Sequence, residues 1–163
     1  MTLLRFSCAD THLFWVKTEQ SDASAYGVIK PLATEAVLSS LAQGVGIINY
    51  IGHGSSFQLA QEKLLYLNRG DLNRINTSGK MPLWIVGTCS FGHFDDPISE
   101  SFAEELIRKQ MDAASSVIST CRPITVTGNE RYTQDLFENI FTNNEITNLE
   151  ICLLYTSPSP RDG

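Results

Sequence analysis

The sequence predicts an α/β domain in which a mostly parallel sheet is flanked by helices, and three observations lead there. Val45 to Ile51 (VGIINYI) and Leu83 to Val86 (LWIV) are short apolar blocks without the alternation of a half-solvated strand, as suits strands buried on both faces. Ala33, Val37, Leu38 and Leu41 recur at helical spacing just ahead of the first block, and Ser99 to Gln110 carries a second helical pattern after the other. That alternation of strand and helix is the signature of parallel pairing. Each block also stops abruptly, the first on Gly52-His53-Gly54 and the second on Gly87-Thr88-Cys89.

Taken in order, residues 3 to 8 and 12 to 18 read as short strands around the turn-like Ala9-Asp10-Thr11, with Cys8 and His12 structural. Ser21 to Tyr26 is polar and small and reads as a loop, and Pro31 sits well in the first turn of a helix that Gly44 ends. Beyond Gly54, Phe57, Ala60 and Leu64 stand at helical intervals within Phe57 to Leu67, with Glu62 on another face. Asn68 to Lys80 is a long connection with one helical turn near Asp71 to Ile75.

Ser99 to Gln110 is the clearest helix: Phe102, Ala103, Leu106 and Ile107 share a face, and its acidic residues precede Arg108 and Lys109, as the helix dipole favours. Ser101 and Glu104 have capping-box spacing, while Ser99 is an equal candidate cap. Ser115 to Thr120 is a third strand candidate. Tyr132, Leu136, Phe137, Ile140 and Phe141 give a final amphipathic helix, capped near Thr127 or Asn129.

Composition bounds the partners. With 163 residues and 42% hydrophobic content the chain can bury the core of one domain. A net charge of −6 without a basic cluster argues against a nucleic-acid surface. No apolar run approaches the ~20 residues of a membrane-spanning helix. The opening stretch MTLLRFSCADTHLFWVKTEQ has neither the basic start nor the long apolar middle of a signal peptide.

The chemistry centres on Cys89. A thiol with an unperturbed pKa near ~8.5 is mostly protonated at neutral pH, so a nucleophilic cysteine needs a base beside it. His53 fills that role if the two strands lie side by side and parallel, because both residues then emerge at the same sheet edge, where sites of open α/β sheets form. Gly54 allows close approach of a substrate carbonyl and offers its N–H to a developing oxyanion, with the N–H of Cys89 as second donor. His93, in the polar loop Ser90 to Pro97, is the rival base, and Cys121, which also leaves a strand, is the rival nucleophile. Glu62, His93 and Arg122 are candidate substrate contacts, although a solvated helix-face carboxylate is the more ordinary reading of Glu62.

Metal is not expected. Asp95 and Asp96 lack further spaced ligands, and Cys89, His93, His53 and Cys121 show neither a CxxC pair nor HExxH spacing. No cofactor is expected either, since phosphate-binding loops, GxGxxG and the GxSxG serine elbow are missing from the sequence. The other readings are a non-catalytic scaffold or binding domain of the same fold and a flavodoxin-like module binding a small molecule or metal.

The stretches INYIGHG (Ile48 to Gly54), PLWIVGTCSFGHFDD (Pro82 to Asp96) and SESFAEELI (Ser99 to Ile107) resemble the gingipain-type cysteine peptidases of the caspase-like clan, and within them the sortase of type IX secretion. The resemblance covers roughly residues 28 to 142. It implies a caspase-like parallel sheet, His53 as general base, Cys89 as nucleophile and the Gly54 and Cys89 amides as oxyanion hole. It also implies protein or peptide substrates, other type IX components as partners, and a cell-surface, outer-membrane or periplasmic setting. Ala113-Ala114 stands where such proteins tend to have Gly-Ala, and no orienting acid for the histidine is identified. The domain is expected to be incomplete, spanning residues 1–151. The last residues, 152–163 (CLLYTSPSPRDG), resemble translated sequencing-adapter read-through and are expected to be a non-native tail. The remaining thiols, Cys8, Cys89 and Cys121, do not suggest a disulfide framework.

Overall fold

A computed structural model of the chain describes residues 3–7, 22–109 and 112–142. It divides into two units, Met1–Ile124 and Thr125–Gly163. In the first, β1 (Leu3–Ser7), β4 (Ile47–Ile51), β8 (Leu83–Gly87) and β9 (Ser116–Ser119) form one sheet in the order β1-β4-β8-β9, with every pair parallel. The expected mixed α/β fold with a parallel sheet is therefore the observed one. The expected strand at 12 to 18, with Cys8 and His12, lies outside the described residues, as does the tail 152–163.

The central strands are apolar because they are covered on both sides. In β4, Ile47 to Tyr50 are buried, and in β8 so are Trp84 to Gly87. Ile48, Tyr50, Trp84 and Val86 alternate onto one face and join a core with Ala33, Val37, Leu38 and Leu41 of α1 (Pro31–Gln43) and with Phe91, Phe102, Ala103 and Leu106. The helix over Phe102–Arg108 belongs to the crossover between β8 and β9. Trp84 Nε1 donates to Ala113 O at 3.0 Å, so the indole satisfies its polar atom inside that core.

Between β4 and β8 the chain departs from the sequence expectation. Phe57 to Leu67 is not helical; β5 (Gly54–Ser55), β6 (Gln58–Leu59) and β7 (Leu65–Tyr66) form a small antiparallel ribbon. Ala60 and Lys63 adopt positive φ, 63° and 52°, which breaks any helical run and turns the chain back. Ala60 and Leu64 are buried, as their spacing suggested, but so are their neighbours Leu59 and Leu65, because the ribbon inserts both strand ends into the core. Likewise, residues 21 to 26 are no simple loop: β2 (Asp22–Ser24) and β3 (Gly27–Ile29) make a hairpin that Gly27 turns at φ 92°.

A buried ionic node fastens the ribbon to the rest of the fold. Asp71 opens α2 (Asp71–Arg74) and is fully buried. Its carboxylate accepts from Arg69 Nε at 3.0 Å, from Arg69 Nη2 at 2.6 Å and from Tyr66 N at 2.8 Å. The same guanidinium donates to Lys63 O at 2.8 Å and to Thr34 Oγ1 in α1 at 3.3 Å, and Thr34 Oγ1 in turn donates to Leu64 O. One residue pair thus joins α1, the ribbon turn and α2.

The crossover helix α3 (Phe102–Arg108) starts later than Ser99, with Ser101 as its cap in a complete capping box with Glu104. Its first free amides serve the neighbouring loops: Phe102 N donates to Ser56 O at 2.7 Å and Ala103 N to Phe91 O at 3.4 Å. Phe91 and Phe102 stack with ring centroids 5.4 Å apart. In the second unit, α4 (Val126–Thr142) begins nearly two turns ahead of Tyr132. Thr125 caps it, since its O and Oγ1 accept from Asn129 N and Gly128 N, in place of Thr127 or Asn129. Among the described residues, no helix is long and apolar enough to cross a membrane.

Replacing Asp71 by Ala leaves the largely buried Arg69 guanidinium without its carboxylate. Breaking such a pair costs about 3–5 kcal/mol, so Asp71→Ala is expected to lower the urea midpoint by the corresponding amount; an unchanged midpoint would show that the node contributes nothing.

Candidate functional site

The site follows from register. Ile51 stands opposite Gly87 as the last pair of the β4–β8 ladder, and Gly52 N continues it by donating to Gly87 O at 3.2 Å. His53 and Cys89 each come two residues after that final pair. Because the strands are parallel, both side chains leave at one sheet edge although they are far apart in sequence. His53 is exposed and Cys89 half-buried. Cys121 follows β9 at the same edge, one strand further on, and is also a half-buried free thiol.

Gly54 is required by its surroundings. A Cβ there would lie 2.6 Å from Thr88 Oγ1 and 2.8 Å from Gln58 O, closer than real Cβ atoms come. Thr88, the residue before Cys89, thus packs directly on the Gly54 backbone, so the two strand exits are in contact. Its Oγ1 is buried without a hydrogen-bond partner among the described residues. His53 O accepts from Ala60 N at 2.8 Å and from Tyr50 Oη at 2.6 Å, which fixes the backbone of the histidine from the ribbon and from the core together. Neither Tyr50 nor Thr88 was singled out from the sequence, where both read as ordinary strand and turn residues.

After Cys89 the chain bends sharply. Ser90 has φ 57°, a left-handed conformation that costs a non-glycine residue on the order of 1–3 kcal/mol. The loop beyond is held against the exit of β9: Ser90 N donates to Arg122 O at 3.5 Å, Gly92 N to Thr120 O at 2.9 Å, and Thr120 Oγ1 to Thr88 O. Arg122 also makes a two-pronged contact with Asp95, Nη1 to Oδ1 at 2.8 Å and Nη2 to Oδ2 at 2.5 Å. The hydrogen bonds from that guanidinium pull the Asp95 carboxyl from 3.8 down to about 2. Asp96 caps the next turn through Ser99 Oγ and Ile98 N, and these bonds lower its pKa as well.

The remaining candidates separate from this centre. His93 lies 3.6 Å from Asp95 and 3.9 Å from Asp96 across its two ring nitrogens, on the loop wall. Arg122 is engaged with Asp95, so its charge is committed to loop structure. Glu62 sits half-buried in the turn between β6 and β7, a turn residue and not part of a helix face. Among the described residues, no three His, Cys, Asp or Glu side chains come together as metal ligands would.

The cause of the Asp95 shift is testable directly. Arg122→Ala is expected to return the Asp95 carboxyl from about 2 toward 3.8 in a carboxyl-carbon NMR titration. Since a depressed carboxylate pKa favours the folded loop above the ordinary value and loses that effect as pH falls through the depressed one, the wild-type contact should persist below pH 3.8 and open near 2. An Asp95 that still titrates near 2 without Arg122 would assign the shift to another group.

The fold has counterparts among known proteins. The model of peptidase family C25 matches residues 5–157. No curated protein matches. The structure is similar to the complex of the pro- and mature domains of RgpB from Porphyromonas gingivalis, with 19% identity over 64% of this chain and a TM-score of 0.55. It is also similar to the Arg-specific cysteine proteinase gingipain R (RGPB), with 15% identity over 89% of this chain and a TM-score of 0.61. At these identities the structural likeness concerns the fold, and this chain spans 25% and 38% of the two proteins' chains. The family match covers nearly all of the sequence, and the chain belongs to peptidase family C25, the gingipain-type cysteine peptidases.

Proposed function

We propose that this chain carries the catalytic centre of a cysteine endopeptidase in which His53 and Cys89 form the reacting pair. The observation that supports it best is the parallel β4–β8 register, which ends at Ile51 and Gly87 and sets both residues at equal distance beyond it. His53 accepts the Cys89 thiol proton, and the thiolate adds to the carbonyl carbon of a peptide bond. The Gly54 and Cys89 amides hold the resulting oxyanion. As the oxyanion collapses, the C–N bond breaks, and the amine departs with the proton from the imidazolium, leaving a thioester. Water completes hydrolysis, as a signal peptidase of type IX secretion requires, whereas an amine acceptor gives the transfer expected of its sortase.

Protein or peptide is the substrate on this reading, with Glu62, His93 and Arg122 as outlying contacts. Of these, His93 and Arg122 both contact Asp95, on the loop that follows Cys89. A cell-surface, outer-membrane or periplasmic setting, with other type IX components as partners, accompanies the sortase form of the proposal. No resident cofactor enters the chemistry.

Labelling of the full-length protein with iodoacetamide tests the pair. Cys89→Ala is expected to abolish the fast-reacting thiol and Cys121→Ala to keep it. His53→Ala should slow labelling at pH 7 by about one to two orders of magnitude, the ratio between a formed thiolate and the few per cent present in an unassisted thiol. Fast labelling that survives Cys89→Ala would turn the reading toward a scaffold of the same fold. Gly54→Ala, which forces its Cβ against Thr88 and Gln58, is expected to reduce acylation by about 10²–10³-fold if the Gly54 amide is an oxyanion donor.

A further inference from the structure

Tyr50 is a core tyrosine whose hydroxyl reaches a backbone atom of the site. It is fully buried in β4, between Phe6 of β1 and Val86 of β8 in the sheet register, and its Oη donates to His53 O at 2.6 Å. A buried phenol needs some partner. The choice of partner matters, because His53 O and the Gly54 N–H belong to the same peptide group. That group is planar and trans, so its C=O and N–H point in opposite directions. Two donors, Tyr50 Oη and Ala60 N, draw the carbonyl inward to the core and ribbon. The Gly54 N–H is thereby turned the other way.

The ribbon pairing leaves that N–H unused. Gly54 stands opposite Leu59, and the bond from Ala60 N to His53 O makes them a non-hydrogen-bonded pair, in which neither residue's own amide enters the ladder. Rotation of the peptide is further opposed by Thr88 and Gln58 O packed against the Gly54 Cα. We infer that Tyr50 is a positioning residue, whose buried hydroxyl holds the His53–Gly54 peptide plane so that the Gly54 amide faces the reacting carbonyl. The inference rests on the proposed Cys89 chemistry and adds to it a residue that touches neither substrate nor thiol.

The role separates two reactions of the same sulfur. Alkylation by iodoacetamide displaces iodide from a saturated carbon and creates no oxyanion, so it reads the thiolate and His53 alone. Acylation by 4-nitrophenyl acetate passes through an oxyanion before 4-nitrophenolate leaves, so it also reads the Gly54 amide. Both rates are measured on the full-length protein, each less the rate of the Cys89→Ala chain. Tyr50→Phe keeps the buried ring, and His53 O keeps its Ala60 donor.

Tyr50→Phe is expected to lower Cys89-dependent acylation by about tenfold, short of the ~10²–10³ lost when an oxyanion donor itself is removed. Alkylation and its pH profile should stay within twofold of wild type. Equal acylation in both proteins overturns the inference, and so does a parallel fall of both rates, which is the pattern of general structural loss. A wild-type protein without any Cys89-dependent rate fails at the proposed function itself, and the role of Tyr50 falls with it.

Discussion

Parallel pairing of β4 with β8 is the constraint on which the site depends. Parallel strands send their C-terminal ends to one edge, and the pairing of Ile51 with Gly87 sets how far each chain runs before it turns. A slip of β4 by one residue would carry Ile48 and Tyr50 out of the core and send Ile47 and the polar Asn49 in, so the buried face fixes the register. Trp84 adds a polar anchor through Ala113 O, and Ser115 N donates to Pro82 O, where β8 and β9 begin to pair. The edge at which His53 and Cys89 emerge is therefore a consequence of core packing.

Loops at that edge are held by groups that secondary structure leaves unused. The first amides of α3 have no partners inside their helix, and they bond Ser56 beyond Gly54 and Phe91 beyond Cys89. The ribbon that follows His53 is tied down at its far side by Arg69 and Asp71, a pair whose desolvation is offset by four further protein contacts, to Tyr66 N, Lys63 O, Thr34 Oγ1 and Arg74. Asp95 and Arg122 act differently: both are exposed, and their contact links two loops that backbone bonds already join. Such a surface pair sets loop geometry more than stability.

Departures from ordinary local preference occur beside Cys89 and His53, and also at Ala60, Lys63 and Ser78, which take positive φ elsewhere in the fold. Ser90 takes a left-handed backbone, Thr88 buries an unpartnered hydroxyl among the described residues, and Gly54 has no room for a side chain. The helices α1 and α3 follow their sequence preferences closely, as with the capping box at Ser101 and the buried stripe of α1.

The sequence by itself determined the parallel α/β class, the two buried blocks with their ends at Gly52-His53-Gly54 and Gly87-Thr88-Cys89, α1, and the amphipathic helix at Phe102. Those features are carried by local patterns of apolar residues, which survive without knowledge of what they pack against. Only the tertiary structure decided that Phe57 to Leu67 is a ribbon, because Leu59 and Leu65 gain burial from distant partners and positive φ at Ala60 and Lys63 overrides the helical spacing. It alone set Arg69 against Asp71, Arg122 against Asp95 and Tyr50 against the His53 carbonyl, since a hydrogen bond depends on positions in space and leaves no periodic trace in the chain.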